Sequence, residues 1–333
     1  MSYRLSVGFA SRGARDRESM FDGIRAADEA GVDSVWVAES WGEDAFTLMG
    51  QIVERTERIN VGTAIINVFS RTPAAIAQHF ATLDSVSEGR MIVGLGTSGA
   101  NVIEHFHGIP FKRPIARLRE YVEIINILMS GEKLDYSGEF FELHRGFTLN
   151  MSRFRDHIPV YLATLAPASV QLTAEIADGW LPIWTPIGEL PAVAKAVRDQ
   201  SVAAGRPADA VTIRSPGGVT LTNDVESARA ATAGAFAFYV ARMGKFYANH
   251  LTRIGHGDVV EKVRAAWEDG GSGAAAAAVP PDLQQSLGLV TDSVEQARDR
   301  LAEQEAAGVR LHSMNVSPGR GIDLRKTFEA LMR

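Results

Sequence analysis

The sequence predicts an α/β fold, a (β/α)8 TIM barrel with insertions, and three observations carry that expectation. Short β-branched runs alternate with amphipathic helical stretches along the chain. Eight candidate strands, each followed by helical sequence, recur at about 40 residues per unit, a length that favours a closed barrel over an open doubly wound sheet. Hydrophobic residues make up 46% and charged residues 22% of the 333 positions, ordinary globular values that exclude a mainly disordered or collagen-like chain. Residues 1–333 read as one barrel domain, with insertions near 131–150 and 241–290.

The first unit is a strand over Arg4 to Ala10 and a helix over Asp16 to Ala30. Asp16 is its expected cap, Met20, Phe21, Ile24 and Ala27 form its apolar stripe, and Gly31 stands where a left-handed C-terminal cap is wanted. Ser34 to Ala38, Asn60 to Ile66 and Met91 to Gly96 read as the next strands, with a helix over Ala45 to Arg55 after the second. Thr72 caps the third helix and Pro73 fits its first turn, where a missing N–H costs nothing. Ile115, Leu118, Val122, Ile125 and Met129 give a further helical stripe. Leu134 to Tyr136 and Phe140 to Leu143 then interrupt the alternation as a small β excursion. Strands resume at Val160 to Ala163, Gly179 to Ile183 and Val211 to Leu221. In the last unit Asp292 caps a helix with Glu295 three residues on, Gly308 ends it, Val309 to Val316 is the final strand, and a helix from Leu324 to Met332 follows. The Gly270-Gly271-Ser272-Gly273 stretch and its alanine run read as helix or connector without chemistry.

Charge and composition narrow the function. Lys plus Arg number 34 against 40 Asp plus Glu, a net charge of -6, so no global positive field draws in nucleic acid or anionic lipid. The absence of cysteine excludes disulfides, thiolate metal sites and a cysteine nucleophile. The amino-terminal segment has no basic stretch followed by a long apolar run, and nowhere are about 18 apolar residues consecutive, which gives the expectation of a cytoplasmic protein. No Gly-x-Ser-x-Gly elbow and no Walker sequence occurs.

In a barrel the active site lies at the C-terminal ends of the strands. After strand two comes Glu39-Ser40-Trp41-Gly42-Glu43-Asp44, which offers a proton donor and an aromatic wall, although Glu43 and Asp44 also suit capping of the next helix. After strand four comes Gly94-Leu95-Gly96-Thr97-Ser98-Gly99, formally a GxGxxG. It lies in the fourth unit, without a well-placed ribose-binding acid, so a dinucleotide fold is not indicated; a glycine-rich turn still frees backbone N–H groups for an anion. Glu104-His105-Phe106-His107 lacks a third ligand at a recognisable spacing, and no metal site is expected. His79 reads as a packed helix residue.

Five segments resemble the bacterial luciferase-like superfamily: Asp33 to Glu39, Asn60 to Ala64 with Arg71-Thr72-Pro73, Leu83 to Arg90, Gly94-Leu95-Gly96, and Glu175 to Trp180. The chain looks most like the superfamily's deazaflavin branch, the coenzyme F420-dependent oxidoreductases that include methylenetetrahydromethanopterin reductase. That resemblance implies a barrel with insertions and a cis non-proline peptide at Ala64-Ile65, with Ala64, Ile65 and Ile66 backing the deazaflavin. It further implies that Gly96, Thr97, Ser98 and Gly99, together with Ala163, Thr164, Leu165 and Ala166, contact the cofactor tail, with Leu181 to Trp184 beside them. Relatives often place a His after the acid at the end of strand two, where this chain has Ser40, and some carry a glutamate where this chain has Gly99. Glu39 is then the expected proton carrier, Ser40 or a water its relay, and Trp41 a wall of the ring pocket.

The function so implied is hydride transfer between C5 of coenzyme F420 and a small organic substrate. Two other readings stand beside it: a flavin-mononucleotide (FMN) monooxygenase of the luciferase type, and a noncatalytic cofactor-binding or structural barrel. A basic groove for the deazaflavin tail would draw on Arg71 and Lys112. Relatives imply a homodimer, with the exposed faces of the second and third helices as contacts. Phe9, Phe69, Phe246 and Tyr247 suggest an apolar or aromatic substrate component.

Overall fold

The computed structural model describes residues 3–9, 14–316 and 323–333. Strand β1 (Leu5–Val7) leads to α1 (Ala14–Ala30), β2 (Ser34–Val37) and α2 (Ala45–Val53). The third strand is split into β3 (Asn60–Thr63) and β4 (Ile66–Asn67), and the peptide between Ala64 and Ile65 is cis. Next come α3 (Pro73–Val86), β5 (Met91–Gly96), α4 (Ala100–His105) and α5 (Pro114–Ser130). The excursion after Gly131 is an antiparallel pair, β6 (Tyr136–Ser137) and β7 (Glu142–Leu143). The alternation continues with β8 (Val160–Ala163), α6 (Pro167–Ile176), β9 (Gly179–Trp180), α7 (Leu190–Ala203), β10 (Thr212–Ile213) and β11 (Val219–Leu221). Then follow α8 (Val225–Arg242), α9 (Phe246–Arg253), α10 (Gly257–Ala277), α11 (Pro281–Leu287), β12 (Leu289–Thr291), α12 (Val294–Ala306), β13 (His312–Val316) and α13 (Leu324–Met332).

The large sheet is parallel, in the order β10-β9-β8-β5-β3-β2-β1-β13-β11-β12 with β4 on β5. Its ends meet. Arg214, just beyond β10, bridges Leu311, just before β13, and Ser215 donates its N–H to the Leu311 carbonyl at 2.9 Å. The run Val211 to Leu221 is therefore one barrel strand broken in the middle, its first half on β9 and its second on β13 and β12. Pro216 cannot donate to a ladder, and Gly217 comes so near the Leu287 carbonyl that a Cβ would lie 1.4 Å from that oxygen.

Alternation along each strand makes two cores. Outward residues such as Leu5, Val35, Val61, Val93, Leu162 and Met314 pack beneath the helices. Inward residues Trp36, Ile92, Tyr161, Leu181 and Leu311 fill the barrel. A third cluster, with Phe236, Val240, Leu251, Val259 and Val263, holds the added helices α9 and α10 on α8. The alanine run continues α10 beyond a kink at Gly271, which takes φ +72°.

Several boundaries differ from expectation. Helix α1 begins at Ala14, so Asp16 falls inside it; the side chain of Asp16 and the strand end at Ala10 lie outside the described residues. Ser293, not Asp292, caps α12, accepting the Gln296 N–H at 3.2 Å, because it is Ser293 that keeps extended backbone one residue before the helix. The strand expected over Gly179 to Ile183 pairs only at its first two residues. Thr72 does cap α3, accepting from the Ala75 N–H at 3.2 Å.

Candidate active site

The inward parity that puts Trp36, Ile92, Tyr161 and Leu311 in the barrel puts Ala38, Gly94, Gly96, Ala163, Ser313 and Asn315 above them, toward the C-terminal mouth. Ser6, on the inner wall of β1, places Gly8 at the same level. On strands one to five this layer is made of small residues, and on strand eight it carries Ser313 and Asn315. At Gly96 a Cβ would meet Ile65 at 3.1 Å and Ala163 at 3.4 Å, so glycine keeps the floor low between the Ala64–Ile65 step and β8. At Gly8 the nearest atom to such a Cβ, among the described residues, is the Trp36 carbonyl at 3.9 Å.

The turns around this floor have unusual backbone. Ser98 and Trp184 take φ +56° and +54°, two of four non-glycine residues with positive φ among the described residues. Gly99 opens α4, and its backbone lies against the Met243 carbonyl, 3.1 Å from where a Cβ would sit. Ala163, Leu165 and Ala166 keep accessible surface. Thr164 is turned away, with its hydroxyl on that of Thr173 at 2.8 Å and its carbonyl accepting from the Trp180 indole at 3.0 Å. Helix α6 then starts at Ala166 with no side-chain cap. Arg253 at the end of α9 donates to the Leu165 carbonyl at 3.1 Å, which brings a cation beside that turn.

Glu39 is not a free acid. Arg71 grips it with two nitrogens, at 2.5 and 3.0 Å, and the Ala45 N–H donates to it at 2.9 Å. Arg71 also holds Asp44 at 2.5 Å, and Asp44 caps α2 through the Thr47 N–H. The expected proton carrier is thus the centre of an ion-pair network that ties β2, α2 and the loop before α3 together, and taking up a proton would remove the charge that holds it. Arg71, committed to two carboxylates, does not contribute a free cation to a basic groove, while Lys112 is exposed. Ser40 is exposed, and Trp41, 50% exposed, leans on Phe238 of α8.

Aromatic rings close the rim. Phe69 stacks on Phe111, which meets Phe246; Tyr239 meets both Tyr247 and Trp184. Burial pushes the phenols of Tyr239 and Tyr247 up, so both stay protonated donors. Phe9 instead packs over Gly23 of α1. Among the described residues the indole N–H of Trp184 is buried without a partner, and so is Nδ1 of His250, whose Nε2 lies 3.2 Å from the Trp184 carbonyl. Burial pushes His250 down, which keeps it neutral. His105 and Phe106 are exposed, and among the described residues no three His, Asp or Glu side chains converge as a metal site. His79 stacks on Phe46, 4.2 Å between ring centres.

Sequence reasoning missed Arg214, a guanidinium directed into the barrel. It donates from Nε to Ser6 Oγ and from Nη2 to Ser313 Oγ, both at 2.9 Å, and lies over the Trp36 ring at 5.2 Å. An arginine inside the apolar run Val211 to Leu221, at inward parity, is the signal that would have found it. A separate cavity of about 120 Å³, lined by Arg229, Thr232, Gln284 and Leu289 among others, contains none of the strand-end residues of the mouth.

Comparison with known proteins agrees with this architecture. The chain matches the luciferase-like monooxygenase family over residues 8–311. It is 33% identical over 330 residues, 93% of this chain and 94% of the relative, to Rv3520c of Mycobacterium tuberculosis, provisionally assigned as a coenzyme F420-dependent oxidoreductase. It is 29% identical over 220 residues, 66% of this chain and 65% of the relative, to 5,10-methylenetetrahydromethanopterin reductase of Archaeoglobus fulgidus. Among solved structures, the coenzyme F420-dependent tetrahydromethanopterin reductase of Methanopyrus kandleri superimposes with a TM-score of 0.82 at 21% identity, over 100% of this chain and 98% of that one. An F420-dependent secondary alcohol dehydrogenase bound to an F420-acetone adduct gives 0.78 at 18% identity, over the whole of both chains. The chain belongs to the luciferase-like monooxygenase family and, within it, to the branch of the F420-dependent oxidoreductases.

Proposed function

We propose that the protein is a coenzyme F420-dependent oxidoreductase that moves a hydride between C5 of the deazaflavin and an electrophilic carbon of a small organic substrate. The observation that carries this reading is the floor of small residues at the barrel mouth, Ala38, Ala64, Gly96 and Ala163, which fits a flat ring. When bound, the cofactor supplies a carbon centre that carries two electrons as hydride and reacts poorly with oxygen.

The remaining work belongs to side chains of this protein. Ala64 and Ile65 on one side and Ala163 on the other would set the plane of the ring, whereas the fully buried Ile66 packs in the outer core, and Trp184 would offer an indole N–H that has no partner among the described residues. The start of α6, where Ala166 gives no side-chain cap, would present the Ala168 N–H to a phosphate, with Arg253 adding positive charge beside it, and the turn Gly96 to Gly99 lies next to it because Gly96 pairs with Ala163. Tyr239, Tyr247, Phe238 and Trp41 would exclude water and orient the substrate. Glu39 acts as a positioning residue through Arg71, with Ser40 exposed beside it. We further propose a homodimer through the outer faces of α2 and α3, where Val86 is 53% exposed; a light-scattering mass equal to a monomer would exclude it.

The deciding experiment is titration of the purified protein with F420 and, separately, with FMN, followed by Trp fluorescence. Tight binding of F420 with weak binding of FMN is the expected result. Preference for FMN would move the protein to oxygen-dependent chemistry, and a stable F420 complex that reduces no candidate substrate would make it a carrier.

A further inference from the structure

We infer that Arg214 is the receptor for the carboxylate of a small organic acid substrate, on the barrel wall opposite the small-residue floor. The inference rests on the reading above for which wall the cofactor takes. A guanidinium inside a barrel is costly unless an anion or enough acceptors surround it. Arg214 has two serine hydroxyls and an aromatic face, and among the described residues no carboxylate lies within ion-pair distance of it.

Arg90 shows what a purely structural arginine looks like in the same molecule. Its Nε donates to the Ser87 carbonyl, Nη1 to Thr56 Oγ1 and the Ile59 carbonyl, and Nη2 to the carbonyls of Val53 and Thr56. Every edge of that guanidinium is satisfied. Nη1 of Arg214, by contrast, has no hydrogen-bond partner among the described residues, and the side chain keeps accessible surface although protein surrounds it.

Among the described residues the accessible surface is continuous with the mouth. Ser313 is partly accessible and Asn315 exposed on the inner wall of β13, at the next two inward levels above Leu311, while their outward neighbours His312, Met314 and Val316 are buried. Gly218 on the adjoining strand comes within 3.4 Å of Asn315 Nδ2 and 3.3 Å of Ser313 Oγ at its Cβ position, so it leaves that column uncovered. Arg214, Ser313 and Asn315 thus form a polar column on strands seven and eight, facing Ala64, Gly96 and Ala163 on strands three to five. A planar carboxylate can take the free edge of the guanidinium while accepting from the Ser313 hydroxyl, whereas a tetrahedral phosphate would find too few donors here. An acid held this way presents its remaining carbons to the opposite wall.

The test is calorimetric titration of the protein with benzoate, acetate and inorganic phosphate, with and without saturating F420. Benzoate or acetate is expected to bind in both states, more tightly than phosphate. Arg214→Met should weaken carboxylate binding about 10- to 100-fold while F420 affinity stays as in the wild type. Arg214→Lys and Ser313→Ala, which keep the charge or the packing, should each weaken it measurably, so the proposal stays testable if Arg214→Met does not fold. No carboxylate binding to the wild type, or wild-type affinity in both milder variants, overturns the proposal. Loss of benzoate binding on saturation with F420 also overturns it, because Arg214 would then serve the cofactor. Carboxylate binding in a protein that binds no F420 keeps the Arg214 site and overturns the cofactor reading instead.

Discussion

Asp84 sits in a segment shared with the family, yet its surroundings are structural. It is almost fully buried and accepts from the Met91 N–H at 3.1 Å and from Nε and Nη2 of Arg155 at 3.0 and 2.8 Å. Asp84→Ala would strand a half-buried guanidinium and a strand N–H, and is expected to lower stability by about 3 kcal/mol in a urea titration. A loss within experimental error would show that the pair is dispensable. Glu39→Gln probes the opposite question. If Glu39 acts only through Arg71, the variant should lose about 1–2 kcal/mol of stability and keep turnover within about tenfold. A collapse of turnover at unchanged stability would make the Glu39 carboxyl the proton carrier.

At the scale of elements, the register of β3 on β5 depends on one close approach. Thr63 Oγ1 receives the Gly94 N–H at 3.0 Å and donates to the Gly94 carbonyl at 2.8 Å, and a Cβ on Gly94 would fall 1.6 Å from the Thr63 carbonyl oxygen. Gly94→Ala is therefore expected to cost about 3 kcal/mol or more, or to prevent folding, as read by circular dichroism and thermal midpoint. Helix α12 gives a milder test of the same kind. Ser293→Ala should cost about 1 kcal/mol while Asp292→Ala is close to neutral, since only Ser293 caps the helix. The reverse order would restore Asp292 as the cap.

For the whole molecule, five histidines set the response to acid. Burial holds His79, His250 and His312 below the ordinary imidazole range, so the folded state takes up protons less readily than the unfolded chain at these sites. Their contribution is present above about pH 6.5 and is lost as the pH falls below it. His157 and His144 run the other way: a hydrogen bond to Asp178 raises His157, hydrogen bonds to Asp135 and Glu142 raise the exposed His144, and their contribution is present below about pH 6.5 and lost as the pH rises through the raised values. With three lowered histidines opposed by two raised ones, of which His144 is exposed and screened, the thermal midpoint should fall between about pH 7 and pH 5.5, and His250→Asn should reduce that fall. An unchanged pH profile in His250→Asn would show that this site does not titrate on unfolding. Among the described residues no helix is long and apolar enough to cross a membrane.

Much of the fold was legible because strand and helix periodicities are local. The Thr72-Pro73 start of α3, the stripe of α5 and the eight strand positions follow from spacing alone, and the glycine-rich turn after strand four marked itself by composition. The family was legible for the same reason, since its segments are contiguous stretches of the chain. What the chain order could not reveal were pairings between distant residues. That Glu39 is held by Arg71, 32 positions away, and that Arg214 reaches Ser6, 208 positions away, depends on which strands become neighbours when the barrel closes. The same closure decides that Gly8, Ala38, Gly96 and Ala163 share one level and so form a floor. Periodicity assigns a side chain to a face, but only the closed sheet decides what stands across from it, and the chemistry of this site lies in those oppositions.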